Sequence, residues 1–269
     1  MLSPQFGESR SGNPRRGEEK VRPTVVIPAR LASTRMPRKP LAQINGAPML
    51  WWVINNASKA VGRENVFVAS CDAEILKFAE EESVRGIMTA DTHERATDRT
   101  NEAIRRLALE GRPIEKVIML QGDEPAIAPS SLLEILEVMD SNSGIKILNL
   151  IGEIRSEAEL SSPNTIKVIK TVDHKALYLS RLPVPHGGGI ESGVHWKQVC
   201  AMGFTKESLA TFSQMEATGL EKSESIDMLR WIENGEELHL HPISYETHPV
   251  DVFEDIKAVE RILTAREPG

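Results

Sequence analysis

A chain of 269 residues with 40% hydrophobic content can bury one large α/β core, and its two cysteines, Cys71 and Cys200, exclude a disulfide framework and point to a reducing, cytoplasmic setting. A net charge of -7 argues against a general nucleic-acid binder, so a basic cluster here is a local site for a small anion on an acidic protein. Residues 1–23 are polar and rich in Gly, Pro, Ser and charge; they read as a disordered tail without the apolar core of a secretory signal or a membrane span.

From residue 24 to 269 the pattern is that of a single domain. Short β-branched runs alternate with helical periods: strand 24–27, helix 49–60, strand 65–70, helix 73–82, strand 116–120 and helix 130–139. Strands separated by helices of this length imply right-handed crossovers and a mostly parallel sheet with helices on both faces. The middle of the chain differs, with strands expected at 146–151, 166–171, 176–179 and 196–204, read as a second, mostly β layer. Helices at 206–214 and 221–233, a strand at 237–243 and a helix at 253–265 complete the pattern.

The first strand runs straight into a loop carrying Arg30, Arg35, Arg38 and Lys39. Cations this close repel one another unless an anion neutralises them, and the carboxyl end of a parallel strand is where open α/β sheets bind ligands. A nucleoside triphosphate suits the loop; a solvated basic turn is the plainer reading. No Gly-x-Gly-x-x-Gly follows the strand, which excludes a dinucleotide-binding dehydrogenase, and no Gly-x-Ser-x-Gly elbow marks a hydrolase.

Pro28, Ala29, Arg30, Ser33, Arg35, Pro37, Lys39 and Leu41 match the pattern Pro-Ala-Arg-x-x-Ser-x-Arg-x-Pro-x-Lys-x-Leu. The segment resembles the nucleotide loop of sugar-activating cytidylyltransferases, and the chain from about 25 to 263 is similar to the 3-deoxy-manno-octulosonate cytidylyltransferase (CMP-Kdo synthetase) family. The resemblance implies a Rossmann-like nucleotidyltransferase fold whose 146–204 insertion forms a lid and much of a homodimer interface. It also implies Mg²⁺, CTP and an acidic sugar as partners.

Two aspartates carry the implied metal chemistry. Gln121-Gly-Asp-Glu-Pro125 and Val250-Asp251 match the segments in which the family holds magnesium, which assigns Asp123 and Asp251 as metal ligands and Arg30, Lys39, Asp123 and Asp251 as the catalytic set. Without the resemblance, Asp123 is equally a turn residue and Asp251 a helix cap. The planar guanidinium of Arg30 and the ammonium of Lys39 suit β- and γ-phosphate oxygens.

His93-Glu-Arg-Ala-Thr-Asp-Arg99 is similar to the family's His-x-Ser-Gly-Thr-Asp/Glu-Arg, a turn against cytosine and ribose, so Thr97 and Arg99 join Pro28, Ala29, Arg30, Ser33, Arg35, Lys39, Gln121 and Asp123 as expected nucleotide-binding residues. Arg95 stands where that pattern has Ser and Ala96 where it has Gly. His93 is a surface or capping histidine unless the turn uses it. Tyr178-Leu-Ser-Arg181 resembles the segment whose arginine pairs with the sugar acid's carboxylate; a structural salt bridge is the plainer role for Arg181. With Gln121, the residues Gln198, Met202, Asp227 and Met228 are expected to face the acceptor, and they differ from the family's His, Tyr, Glu and Gln. Arg38 replaces a Gly beside the loop lysine.

The expected activity is transfer of CMP from CTP to a 3-deoxy-manno-octulosonate or an amino-modified form, with release of pyrophosphate, for lipopolysaccharide or another surface glycan. Another acidic acceptor, a nonulosonate or a phosphonate, fits the same chemistry. A noncatalytic nucleotide-binding regulator is favoured if Arg95 and Ala96 obstruct the base.

Overall fold

Aliphatic residues throughout Val25-Val-Ile27 make β1 (Val25–Pro28) a strand buried at every position, the mark of a parallel sheet covered on both faces. The computed structural model describes residues 23–33, 35–187 and 189–266; the tail expected over 1–23 lies outside the described residues except for Pro23.

After β1 come the small hairpin β2 (Gln43–Ile44) and β3 (Ala47–Pro48), then α1 (Met49–Val61), β4 (Val66–Ser70), α2 (Ala73–Glu81), β5 (Arg85–Met88), α3 (Ala96–Leu109), β6 (Lys116–Leu120) and α4 (Pro129–Ser141). The second half contains β7 (Ile147–Glu153), α5 (Glu157–Ser161), β8 (Lys167–Lys170), β9 (Ala176–Ser180), β10 (Trp196–Thr205), α6 (Lys206–Phe212), α7 (Gly219–Glu224), α8 (Met228–Glu233), β11 (His239–Pro242) and α9 (Phe253–Arg266). The main sheet has the order β11-β7-β10-β6-β1-β4-β5. β1 lies between β4 and β6, all parallel, while β10 inserts antiparallel between β6 and β7. The chain therefore leaves β1 in one direction and returns on its other side with β6, which opens a crevice at their carboxyl ends.

The strands read as a second β layer belong instead to this same sheet. The long strand β10 pairs with β6 through its carboxyl half and with β7 at both ends, while Trp196 and Lys197 run past the end of β6 and pair on that side with β8, which carries β9 on its other edge. The β2–β3 hairpin, β5, α3 and the short α5 were not foreseen. In β5 only Ile87 is buried, because it is an edge strand. The inward stripe of α3 is Thr97, Thr100, Ala103, Ile104 and Leu107, helically spaced but too polar at its start to read as apolar. The single helix expected over 221–233 is broken into α7 and α8 at Ser225, which holds left-handed backbone torsions of φ 54° and ψ 46°.

Alternation along the strands sends Val25 and Ile27 into a core with α1, α2 and α4, and Val26 into a second core with α3, α6 and α8. A third, small cluster matters most for function: Met36 from the basic loop, Ala126, Val250 and the α9 residues Val259, Ile262 and Leu263 pack together. α9 thereby holds the loop of Lys39 and the loop of Asp251 against one another.

Where α4 crosses β10, Gly203 leaves no room for a side chain: a Cβ there would lie 2.5 Å from Ile135 Cγ2 and 2.5 Å from Met139 Sδ. Gly203→Ala is expected to lower the unfolding free energy by about 1–3 kcal/mol through overpacking, read as a lower urea midpoint at unchanged slope.

Candidate active site

The site forms where the loop after β1 meets the carboxyl end of β6. Where the loop enters the single helical turn at Lys39–Leu41, Arg38 holds a positive φ of 58°, a conformation that favours glycine. Its guanidinium does not face the cavity but pairs with Glu74 of α2, at 2.9 Å from Oε2. The Leu31 amide donates to Asp72 Oδ2 at 2.7 Å, and the Met36 amide to the Ser33 hydroxyl at 3.3 Å, which fixes the loop between β1 and Lys39.

Lys39 Nζ lies 2.8 Å from Asp123 Oδ2 and 3.4 Å from Asp251 Oδ1. Burial works against its charge, but the two carboxylates outweigh burial and raise its pKa, so the ammonium is kept. Arg35 Nη2 lies 2.7 Å from the same Asp251 oxygen, and its Nη1 donates to Asn164 Oδ1 at 2.6 Å. The Val250 amide donates to the Asp123 carbonyl at 2.9 Å, which joins the two acidic loops through the backbone. Asp255 Oδ2 accepts the amides of Asp251 and Val252, so capping of α9 falls to Asp255 and the Asp251 side chain stays with the cations. Asp123 Oδ1 is buried without a hydrogen-bond partner among the described residues.

These groups line a cavity of about 680 Å³ that also contains Pro28, Ala29, Arg30, Ser33, Arg99, Gln121, Arg181, Gln198 and Asp227. Arg30 is exposed there and makes no hydrogen bond or ion pair among the described residues. Arg99 is buried and donates to the Thr89 hydroxyl at 2.5 Å and to the carbonyls of Ala90 and His93, shaping the turn before α3. His93 bonds Glu102 at 2.6 Å; burial raises that carboxyl's pKa, but the Ala90 amide, Arg106 and His93 together bring it to about 2. Thr97, expected to touch the nucleotide, is fully buried in the first turn of α3 and does not line the cavity; its hydroxyl donates to Oδ2 of Asp227, which does, at 2.5 Å. Gln198 donates to Asn149 Oδ1 at 2.6 Å.

Two expected acceptor residues are not in the cavity. Met202 sits two residues below Cys200 on β10, opposite Met119 in mid-sheet and under the helices of the second core, and Met228 opens α8 with its side chain in that same core. Arg181 is present, bound to backbone in place of a carboxylate: its guanidinium donates to the carbonyls of Glu224 at 2.6 Å, Pro163 at 2.9 Å and Ser225 at 3.2 Å. This satisfies the last carbonyls of α7 and explains why the helix stops there.

Residues not singled out from the sequence hold the walls, Lys197 at the cavity and Lys167 and Glu124 buried behind it. Lys167 is buried and donates to the carbonyls of Ser162, Thr165 and Arg181 at 2.6, 2.9 and 2.7 Å, tying the Asn164 loop to β9; burial lowers its pKa. Lys197 bonds the Thr247 carbonyl at 2.7 Å and pairs with Glu159. Glu124 is fully buried beside Asp123, accepting from the Cys200 amide at 2.9 Å and the Thr247 hydroxyl at 3.3 Å, and so links β6, β10 and the segment before Asp251. A charged residue inside an otherwise buried run was the available signal for each.

A mostly parallel sheet with helices on both faces, a basic loop after β1 and paired aspartates across the crevice from it define a nucleotidyltransferase of Rossmann-like fold. A sequence profile described as cytidylyltransferase matches residues 24–238; the chain belongs to the cytidylyltransferase family and is an enzyme of that class. It is 35% identical over 242 residues to an 8-amino-3,8-dideoxy-manno-octulosonate cytidylyltransferase of Shewanella pealeana, covering 90% of this chain and 98% of the relative. It is 36% identical over 244 residues to a 3-deoxy-manno-octulosonate cytidylyltransferase of Nitratidesulfovibrio vulgaris, covering 88% and 94%. A solved CMP:2-keto-3-deoxy-manno-octonic acid synthetase complexed with CTP superposes with a TM-score of 0.80 at 31% identity, over 92% of this chain and all of that one.

Glu124 offers a test of how the site is held. Burial, the largest cause, lifts its carboxyl from 4.5 to about 7, against the Cys200 amide that favours the anion. The folded protein then binds more protons than the unfolded chain between pH 4.5 and about 7, so this group's contribution to stability declines as pH rises through that window. In metal-free buffer, the stability of Glu124→Gln relative to wild type is expected to improve from the low to the high end of the window by on the order of 1–3 kcal/mol, measured by urea unfolding at each pH.

Proposed function

We propose that the chain activates a 3-deoxy-manno-octulosonate-type sugar acid, in its parent or amino-substituted form, by transfer of CMP from CTP. The observation that carries the reading is the Lys39 bridge between Asp123 and Asp251, with an unpartnered Asp123 oxygen beside it, at the mouth of a basic loop. The chemistry is attack of a sugar hydroxyl oxygen on the α-phosphorus, breaking the bond to the bridging oxygen of pyrophosphate and releasing the hydroxyl proton.

The donor set fits Mg²⁺. Two aspartates supply hard oxygen ligands, one of them buried and unpartnered, and no cluster of three or more His, Cys, Asp or Glu is found among the described residues. Mg²⁺ commonly takes one or two protein carboxylates and fills its remaining positions with water and substrate phosphate. Asp123 and Asp251 would hold it, and when bound it supplies charge neutralisation at the α-phosphate and the departing pyrophosphate.

The chain's own cations do the rest. Arg30, with no ion pair of its own, and Lys39 neutralise the β- and γ-phosphates, and Arg35 joins the phosphate loop to Asn164 across the cavity. Thr97 orients Asp227 on the acceptor side, and Arg99 shapes the turn that bounds the nucleotide.

Two observations favour this reading over the alternatives. Met202 and Met228 lie in the core, so the departures that suggested a different acceptor reduce to Gln198 and Asp227. Arg95 is drawn to Glu221 and Ser225 on the α7–α8 wall, which argues against a base pocket closed for regulation. A homodimer agrees with the exposed apolar side chains Val172, Leu177, Leu182 and Val194 around the 146–204 segment. A cytoplasmic, lipopolysaccharide-directed role follows from the substrate; among the described residues no helix is long and apolar enough to cross a membrane.

Pyrophosphate release with Mg²⁺ and each nucleoside triphosphate, against octulosonates, their amino analogues, nonulosonates and phosphonates, tests the assignment; a CTP-dependent signal with an octulosonate is expected. Asp123→Asn is expected to lower turnover by about two orders of magnitude or more with an unchanged thermal midpoint, because a metal ligand is weakened while its shape is kept. Near-wild-type turnover would overturn the metal role.

A further inference from the structure

Two guanidinium groups are bonded to one residue in the cavity wall. Arg95 Nη1 donates to the Ser225 hydroxyl at 3.2 Å, and Arg181 Nη2 donates to the Ser225 carbonyl at 3.2 Å. All three residues line the cavity, at the break where Ser225 holds left-handed torsions between α7 and α8.

Neither cation has a carboxylate to itself. Arg181 bonds only carbonyls through its guanidinium, and among the described residues it forms no ion pair. Arg95 Nε lies 3.3 Å from Glu221 Oε1, but Glu221 is already the bidentate partner of Arg230, at 2.7 Å through each oxygen. One buried carboxylate thus serves two guanidinium groups. Asp227, the other acid in this wall, accepts the Thr97 hydroxyl and makes no ion pair with Arg95 or Arg181; burial raises its pKa, which weakens its claim as their counter-ion. The Arg95 contacts use two of its five N–H donors.

A planar anion with two oxygens suits such a pair, because each guanidinium can bond it while keeping its anchor on Ser225. We infer that Arg95 binds the carboxylate of the acceptor together with Arg181 and determines the preference for acidic acceptors, an inference that rests on the sugar-acid reading above. Arg95 stands where the resembling pattern has serine, so this contact is a property of this chain. Arg181 has a second task, since the same guanidinium holds the end of α7 that presents Ser225.

The test compares wild type, Arg95→Ser and Arg95→Lys in the full chain, with CTP, Mg²⁺ and either the octulosonate or its uncharged carboxamide as acceptor. Arg95→Ser is expected to raise the KM for the acid about tenfold or more and to lower the kcat/KM preference for acid over carboxamide by a similar factor, since a hydrogen bond to a charged group is lost. Arg95→Lys should recover part of both. CTP affinity by titration calorimetry without acceptor should stay within about twofold, and the thermal midpoint reports whether each variant is folded. Unchanged acid preference in a folded Arg95→Ser protein, or a loss confined to CTP affinity, overturns the inference. Absence of wild-type activity with every acidic sugar would instead remove the functional reading beneath it.

Discussion

Everything in the site depends on one electrostatic constraint: Asp123 and Asp251, from distant parts of the chain, stand close enough to share a single amine. Carboxylates so close in a half-buried place repel strongly unless cations stand between them, and Lys39 and Arg35 supply that charge. The geometry is set by apolar packing. Met36, Ala126 and Val250 pack under α9, and the Val250 amide bonds the Asp123 carbonyl, so the basic loop and both acidic loops are fixed by one small hydrophobic cluster. Altering that cluster would displace charges that no residue in it carries.

The cations in and behind the cavity divide by burial. Arg99 and Lys167 are buried and spend their donors chiefly on hydroxyl and carbonyl oxygens, replacing lost hydration with fixed dipoles and holding the turns at residues 89–93 and 162–165 in shape. Arg30 and Arg35 are exposed at the loop; Arg35 is paired with Asp251 and Asn164, and Arg30 makes no ion pair among the described residues. Arg181 lies between these groups: it closes the end of α7 with its carbonyl bonds and still lines the cavity. A sequence motif that names an arginine as a ligand therefore names only part of its work.

Strands β1, β4 and β6 were legible because nearly all their residues are apolar and buried; β6 over Lys116–Leu120 is as expected from the sequence. The basic loop and Asp123 were legible because their motifs combine charge with position at a strand end, and Asp251 because Val250-Asp251, ahead of α9, matches a segment of the resembling family. What escaped was decided by tertiary contacts. The break after α7 comes from the Arg181 guanidinium, far away in sequence, and the polar first turns of α3 hide a helical stripe that only its neighbours complete. Met202 was expected at the acceptor from its place in the family motif; its depth below the sheet end, which the motif does not report, puts it in the core.

The departures from the family pattern differ in what they demand of the backbone. Arg38 replaces a glycine where the chain is left-handed, so the change is absorbed as strain while its side chain leaves the site for Glu74. Ala96 also replaces a glycine, but it lies in the first turn of α3, where an ordinary residue fits and alanine favours the helix. Loss of a glycine therefore has opposite local consequences at the two positions. Arg95, at the N-cap of that helix, is the change that adds a functional group, and its side chain is held by residues of the α7–α8 wall and not by the nucleotide loop. Variation in this turn consequently acts across the cavity, on the α7–α8 wall, even though the motif that contains it is the one associated with the nucleotide.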